Sequence, residues 1–262
     1  MTSVLPVWWD GPADGPTNMA ADELLADEAL RRCSPVVRVY GWTEPTVSLG
    51  AFQPLADAMG CEAIAGLPLV RRPSGGGAIL HGTDLTYAVA VPKAHPWGQT
   101  PQVLYDAMHE TMAATLRDLG IAARLHAPSG DDPPATVFLC FRRRSPGDLV
   151  AAMPGRPPQA DDPKVMGSAQ RRLGSAVVQH GSLLLGPNTA VGPEARDGGL
   201  AAVDSAGRRW ASGELASSWL ERVAARLGAR LAPQGHPVGE PPLGGLAERS
   251  RHFASAAWTG RR

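Results

Sequence analysis

"RRPSGGGAILHGTDLTYAV", residues 71–89, places three consecutive glycines between a basic pair and a histidine, and a run rich in β-formers follows. The run 84–91, ended by Pro92, predicts a strand, so the glycines belong to a loop that feeds a sheet. Glycine lets another group approach the backbone where a Cβ would clash, and it leaves N–H donors uncovered. Two readings follow. The loop is either a tight hairpin turn with exposed arginines, or a cradle for a ligand. In the second, Arg71 and Arg72 bring positive charge to its entrance, and Ser74, Gly75, Gly76, Gly77 and His81 form its wall. Established nucleotide and hydrolase patterns do not fit. Leu80 stands where GxGxxG needs its third glycine, no Gly-Lys-Ser/Thr follows, and the chain has neither a GxSxG elbow nor the second histidine of HExxH after His109-Glu110. No metal cluster is expected from seven scattered histidines.

On either side of this stretch, short strand candidates occur at 36–42, 46–50, 67–72, 136–140 and 148–153, and further strands at "KVMGSA" and "AVVQHGSLLL" surround a turn. Three helices are expected. Residues 17–33 carry Thr17 or Asn18 as cap and Met19, Leu24, Leu25 and Leu30 as the buried side. Residues 101–120 present Val103, Leu104, Ala107, Met108, Leu116 and Leu119 on one face. Residues 211–231 start at Ser212 and turn Leu215, Trp219, Val223 and Leu227 inward. "APSGDDPP" and 233–245 read as loops, 154–163 as an exposed Pro-rich hairpin tip, and the rest as a short C-terminal tail. Strands outnumber helices and most steps between strands are short. The fold class is therefore α+β, with a mixed, largely antiparallel sheet flanked by helices. No linker forces a boundary, so residues 1–262 are expected to form one catalytic domain.

The 262 residues balance 25 Lys and Arg against 25 Asp and Glu, which gives no nucleic-acid footprint. Three distant cysteines, Cys33, Cys61 and Cys140, offer no disulfide framework and suit a reducing cytoplasm. The N-terminus does not read as a signal peptide, and no run of 18 apolar residues predicts a membrane span.

Two further stretches carry chemistry. In "KVMGSAQRRLGSAVVQHGSLLL" (164–185), Lys164 opens a strand, Gly167, Ser168 and Ala169 are small, and His180 and Gly181 follow on the partner strand. They read as a second wall of one site, or as a plain hairpin with a solvated lysine. Cys140 ends an apolar run before Phe141 and three arginines. Such a cysteine is either an inert core residue or, with Arg142–Arg144 and Lys164 nearby, a thiol whose thiolate is favoured. Cys33 and Cys61 read as structural.

Taken together these stretches closely resemble the biotin/lipoate protein ligase and octanoyltransferase superfamily. The R-R-x-S-G-G-G-A-x-x-H run is its signature. "NMAADELL" resembles its N-terminal helix, and "GWTEPTVSLGAFQP" its first hairpin, with Trp42, Pro45, Gly50 and Gln53 in place. "KVMGSAQRR…QHGSLLL" resembles its lysine strand, and "RHFASAAWTGRR" the C-terminal tail of one branch. Cys140-Phe141 before the lysine segment is similar to the cysteine-loop octanoyltransferases. The resemblance implies a class II synthetase-like fold and transfer of an octanoyl group from octanoyl-acyl-carrier protein to a lysine of a lipoyl domain or a glycine-cleavage carrier. Cys140 would be the nucleophile, and Lys164 would stabilise its thiolate and, if burial lowers its pKa, act as proton acceptor. The N–H groups of Ser168 and Ala169 would form the oxyanion hole. Arg72, Ser74, Gly75–Gly77, His81, Gly167–Ala169, His180 and Gly181 would bind substrate. Seven carbons beyond the carbonyl, at ~0.8 kcal/mol per buried CH₂, make ~5–6 kcal/mol available to an apolar channel. Arg142, Arg143, Arg144, Arg171 and Arg172 would face an acidic carrier. No cofactor is implied; ATP and Mg enter only if the chain is instead an ATP-dependent lipoate–protein ligase. The same resemblance also admits a carrier-to-carrier octanoyl amidotransferase and a non-catalytic module that binds acyl chains or carriers. A biotin ligase fits least, since SGGG replaces the GRGRxGR type of loop. The chain departs from the family pattern twice: "PGRPPQADD" is an apparent insertion between Cys140 and Lys164, and Pro146-Gly147-Asp148 stands where an aromatic–acid pair is usual.

Overall fold

The computed structural model describes residues 3–128, 130, 132, 137–232 and 244–262. Two strands not anticipated from the sequence, β1 (Ser3–Leu5) and β2 (Val7–Ala13), lead into helix α1 (Gly15–Arg32). Asp14 rather than Thr17 or Asn18 caps α1: its carboxylate accepts from the Thr17 N–H at 2.9 Å. The Asn18 amide instead donates to the carbonyls of Ala13 and Gly41, tying the helix start to a strand. Next come β3 (Val36–Trp42), β4 (Thr46–Leu49), the short α2 (Leu55–Met59), β5 (Leu69–Arg71), β6 (Ile79–His81) and β7 (Asp84–Pro92). Helix α3 (Pro101–Asp118) and β8 (Ala123–Leu125) follow, then β9 (Leu149–Ala151), β10 (Lys164–Leu173) and β11 (Ala176–Leu184). The chain closes with α4 (Gly199–Val203), α5 (Ser212–Arg226), β12 (Ala229–Leu231), α6 (Leu246–Ala254) and α7 (Ala256–Thr259). The expected C-terminal tail is thus two helices. The loop expected at 233–245, most of "APSGDDPP" that lies beyond residue 128, and Thr136 fall largely or wholly outside the described residues.

Seven strands form the main sheet in the order β2-β3-β7-β11-β10-β9-β8, and only β2 and β3 run parallel. A second sheet, β5-β4-β6, carries the glycine loop, and β1 pairs with β12 in parallel. The expected α+β class with a mixed, largely antiparallel sheet is what the chain adopts. The central strands are buried on both faces, so alternation there is apolar against apolar. Leu85, Tyr87, Val89 and Val91 of β7 meet α3 and α5, while Ala88 and Ala90 meet α1. Trp219 of α5 is fully buried against α3, where its indole N–H donates to Thr111 Oγ1 at 2.9 Å. Val103 and Leu119, expected on the inner face of α3, are exposed instead. Leu104, Met108 and Met112 fill that face, because a 3.6-residue period places the two end residues at its margins.

Candidate active site

The glycine loop joins β5 to β6, and a buried arginine organises it. Arg72 Nη2 donates to the carbonyls of Gly75 (3.1 Å) and Gly77 (2.9 Å), and Nη1 donates to Ser48 Oγ (2.7 Å) and the Ser48 carbonyl. Burial pulls this guanidinium down to about 10, so it remains a cation at neutral pH. With two loop carbonyls turned onto Arg72, no hydrogen bond among the described residues uses the N–H groups of Gly75, Gly76 or Gly77. Arg71 is buried too and donates to the carbonyls of Gly50, Gln53 and Thr259. The basic pair is therefore a scaffold under the loop and not an exposed charge at its entrance. The triplet permits close approach of the protein's own backbone. Gly76, at φ +93°, lies so near Gly50 that a Cβ on Gly50 would overlap the Gly76 carbonyl oxygen. A Cβ on Gly77 would lie 3.0 Å from Cys140 Cα.

Cys140 opens a single 3₁₀ turn, Cys140–Arg142, and does not end a strand as expected. Leu139 makes one isolated bridge with Ala78, and the Cys140 N–H donates to the Ala78 carbonyl at 2.7 Å, so the thiol is pinned beside the glycine loop. Opposite it, Lys164 Nζ lies 3.6 Å from Cys140 Sγ, 3.4 Å from the Cys140 carbonyl and 2.8 Å from Asp148 Oδ2. A register shift between Lys164 and Met166, where β9 pairs with β10, re-aims the lysine at the start of its strand. Burial pulls the lysine down, but the negative forms of Cys140 and Asp148 outweigh it and hold Lys164 above its ordinary value. Burial acts on Lys164 as the sequence reading supposes, but the charges of Cys140 and then Asp148 outweigh it, so the lysine is held up and not lowered. Gly167 is required beside this pair: a Cβ there would lie 2.6 Å from Lys164 Cε. Asp148 also accepts from the Tyr105 hydroxyl (2.9 Å) and the Ser145 N–H (2.7 Å).

Three buried polar relays surround this centre. In the first, His109 Nδ1–H donates to the Gly147 carbonyl, which leaves Nε2 to accept from Ser168 Oγ, both at 2.7 Å. Tyr87 donates to Ser168 Oγ and accepts from Gln179 Nε2. Burial pushes His109 down to about 4, so it is neutral. In the second, Arg72 reaches Ser48, Ser48 lies 2.7 Å from His81 Nε2, and His81 Nδ1 donates to Asp84 at 2.8 Å. Burial dominates here and holds His81 below its ordinary value. In the third, Ser74 Oγ meets His180 Nε2, and His180 Nδ1 lies 3.2 Å from Asp22, which Arg38 and Tyr40 also engage. A small cavity of about 20 Å³ lies among Met19, Tyr40, Trp42, Arg72, Ile79, His81, Thr86, Ala169, His180 and Gly181. It has room for about one water.

The structure gathers Cys140, Lys164, Arg72, Ser74, Gly75–Gly77, His81, Gly167–Ala169, His180 and Gly181 around the junction of the two sheets. It changes the surroundings of Ser168. The hydroxyl of that residue belongs to the His109 relay. Of the arginines expected on a carrier surface, Arg142 lies 3.7 Å from Asp197, Arg143 donates to the Val137 carbonyl, and Arg144 donates to the Asp162 carbonyl. Arg171 and Arg172 are exposed. Asp148, Tyr105, His109 and Asp22 were missed as site residues. Asp148 stood in the sequence as a departure from the family pattern. The others lie on helices whose apolar period gives no sign of an inward polar group.

Residues 14–200 match the lipoyl protein ligase A/B catalytic domain. The chain belongs to this family. Two relatives of this lipoyl ligase A/B-family chain, the octanoyltransferases LipM of Moorella thermoacetica and Geobacillus kaustophilus, are each 37% identical to it, over 67% and 64% of the chain respectively. The matched part spans 63% and 60% of those two proteins. A structure from the analysis of the bipartite lipoate protein ligase and E2 lipoyl domain of Thermoplasma acidophilum superposes with a TM-score of 0.63 at 18% identity, covering 98% of this chain and 96% of that one. That likeness establishes the lipoate ligase fold for the family member described here.

Proposed function

We propose that the chain is an octanoyltransferase of lipoate assembly that moves an octanoyl group from octanoyl-acyl-carrier protein to a lysine of a lipoyl-type carrier domain through a Cys140 acyl-enzyme. The observation that carries the reading is the 3.6 Å approach of Lys164 Nζ to Cys140 Sγ, beside a loop with uncommitted N–H groups. The names of the relatives support it. The Cys140 thiolate attacks the thioester carbonyl, and the developing oxyanion is met by N–H groups of Gly75–Gly77. The donor thiol leaves with a proton that Lys164 supplies. Once the sulfur is acylated its negative charge is gone. The neutral lysine then takes the proton that the incoming amine loses as the amide forms. Exchange of one thioester for another is nearly thermoneutral, so the reaction runs without ATP.

Incubation with octanoyl-acyl-carrier protein, without ATP, followed by intact mass measurement tests this. A hydroxylamine-labile octanoyl adduct, absent in Cys140→Ala, is expected. No adduct, with a lipoyl domain modified only when ATP and free acid are supplied, would replace the transferase with a ligase.

A further inference from the structure

Around Gly76, the exposed member of the glycine triplet, the surface carries groups that a small acyl chain would not touch. Phe52 is 66% exposed, and its ring lies 3.7 Å from the position of a Cβ on Gly75. The Arg262 guanidinium stands 5.9 Å above that ring. Arg261 stacks on Trp258 at 3.5 Å and lies within electrostatic reach of Arg171 and Arg262. Arg171, in turn, is two residues beyond Ala169, which faces Gly76. The tail is fixed in this place: Trp258 Nε1 donates to the Arg71 carbonyl at 2.8 Å, and the Leu55 N–H donates to the Arg262 carbonyl at 2.9 Å.

Elsewhere, arginines such as Arg38, Arg124, Arg156 and Arg208 sit within ion-pair distance of carboxylates. Among the described residues, Arg171, Arg261 and Arg262 do not, nor do exposed arginines such as Arg172, Arg209 and Arg251, but only the first three gather beside one another. Like charges gathered without counter-charge repel one another, and an anionic partner relieves that repulsion. The three cations come from β10 and the C-terminal segment, and one of them, Arg262, lies over the exposed Phe52 ring. That spread suits an extended acidic face with an apolar contact beside it, and it does not converge on one small anion.

We propose that Phe52, Arg171, Arg261 and Arg262 form the docking surface for an acidic face of the protein carrier that delivers the acyl chain. The proposal rests on the acyltransferase reading above and moves the carrier surface from Arg142–Arg144, whose side chains engage the chain itself, to the C-terminal segment.

The test compares two donors on the full chain: octanoyl-acyl-carrier protein and the uncharged octanoyl thioester of N-acetylcysteamine. Cys140 acylation is followed by mass at low and high salt. In the variant R171E/R261E/R262E, KM for the carrier donor is expected to rise about tenfold or more and to lose its salt dependence, while the small thioester stays within about twofold. Arg→Gln at the same three positions keeps the stems and should fall between. Equal loss with both donors, or no change with the carrier, overturns the proposal. If neither donor acylates wild type, the acyltransferase reading fails. Direct binding of the unacylated carrier then decides docking: about tenfold weaker binding to the charge-reversed variant supports it, and equal binding overturns it.

Discussion

Lys164 and Asp148 form an ion pair that is almost completely withdrawn from water, with a third charge available on Cys140 whenever its sulfur is ionised. Removing one partner of such a pair leaves a buried charge uncompensated, so Asp148→Asn should cost about 3–5 kcal/mol of stability. It should also lower the pKa of Lys164, visible as an acid-ward shift in the limb of the acylation pH profile that reports the lysine. Chemical denaturation and that profile check the two effects. His109 gives a second pH signature. Its folded value of about 4 lies below that of a free imidazole, so the unfolded chain binds more protons between pH 6.5 and 4. Its contribution is therefore complete above pH 6.5 and is lost as pH falls toward 4, by on the order of 3 kcal/mol. His109→Gln, which cannot titrate, should flatten this part of the pH–stability curve. Cys140 and Lys164 are singled out through the family resemblance, since the residues alone leave each with an inert reading as well. Asp148 and His109 are not, since burial and partners decide what a carboxylate or an imidazole does, and neither is written in the local pattern.

Among the elements, glycines set the spacing of the site. Gly167→Ala would drive a methyl into the Lys164 side chain, and a displacement of about 1 Å at a reacting group lowers turnover by ~10²-fold. The variant should remain folded, because the atom it meets belongs to a movable side chain. Gly50→Ala meets the Gly76 carbonyl, which cannot yield without shifting the loop, and overpacking of this kind costs about 1–3 kcal/mol or more. Paired thermal melts and acylation rates separate the two outcomes: lost rate at kept stability for Gly167, lost stability for Gly50. At this scale the sequence was informative for β3, β4, β7, β10 and β11, whose alternating or continuously apolar runs are bounded by turns. It was silent on β1 and extended the third helix to 231, whereas α5 ends at Arg226 and Ala229–Leu231 form β12; β1 and β12 are three residues each and exist only by pairing with one another across the chain. It misjudged 137–140, where apolar residues serve a turn pinned to Ala78 and not a ladder.

The whole molecule is held by contacts distant in sequence. β12 pairs with β1, α6 lies against α1 with Phe253 fully buried, and Trp219 of α5 closes the core over Met108. The family-matching segment 14–200 lacks these covers. Expressed alone it should expose the α3 face of the core, bind a hydrophobic dye and unfold without a cooperative transition, which calorimetry would show. This dependence was not legible because amphipathic periods say which face is buried but not which partner buries it. The excursion before Lys164 is tied off in a different way. Arg124 and Arg156 both hold the buried Asp162 carboxylate, and Arg144 holds its carbonyl, while residues 157–161 remain exposed. The knot lies between the tip and the Cys140–Lys164 pair, so the length of the tip is decoupled from that pair. A fluorophore or a short epitope grafted between Pro157 and Pro158, ahead of the Gln159 that joins the knot, would ride on the protein as a passenger, giving a label whose presence leaves acylation unaltered.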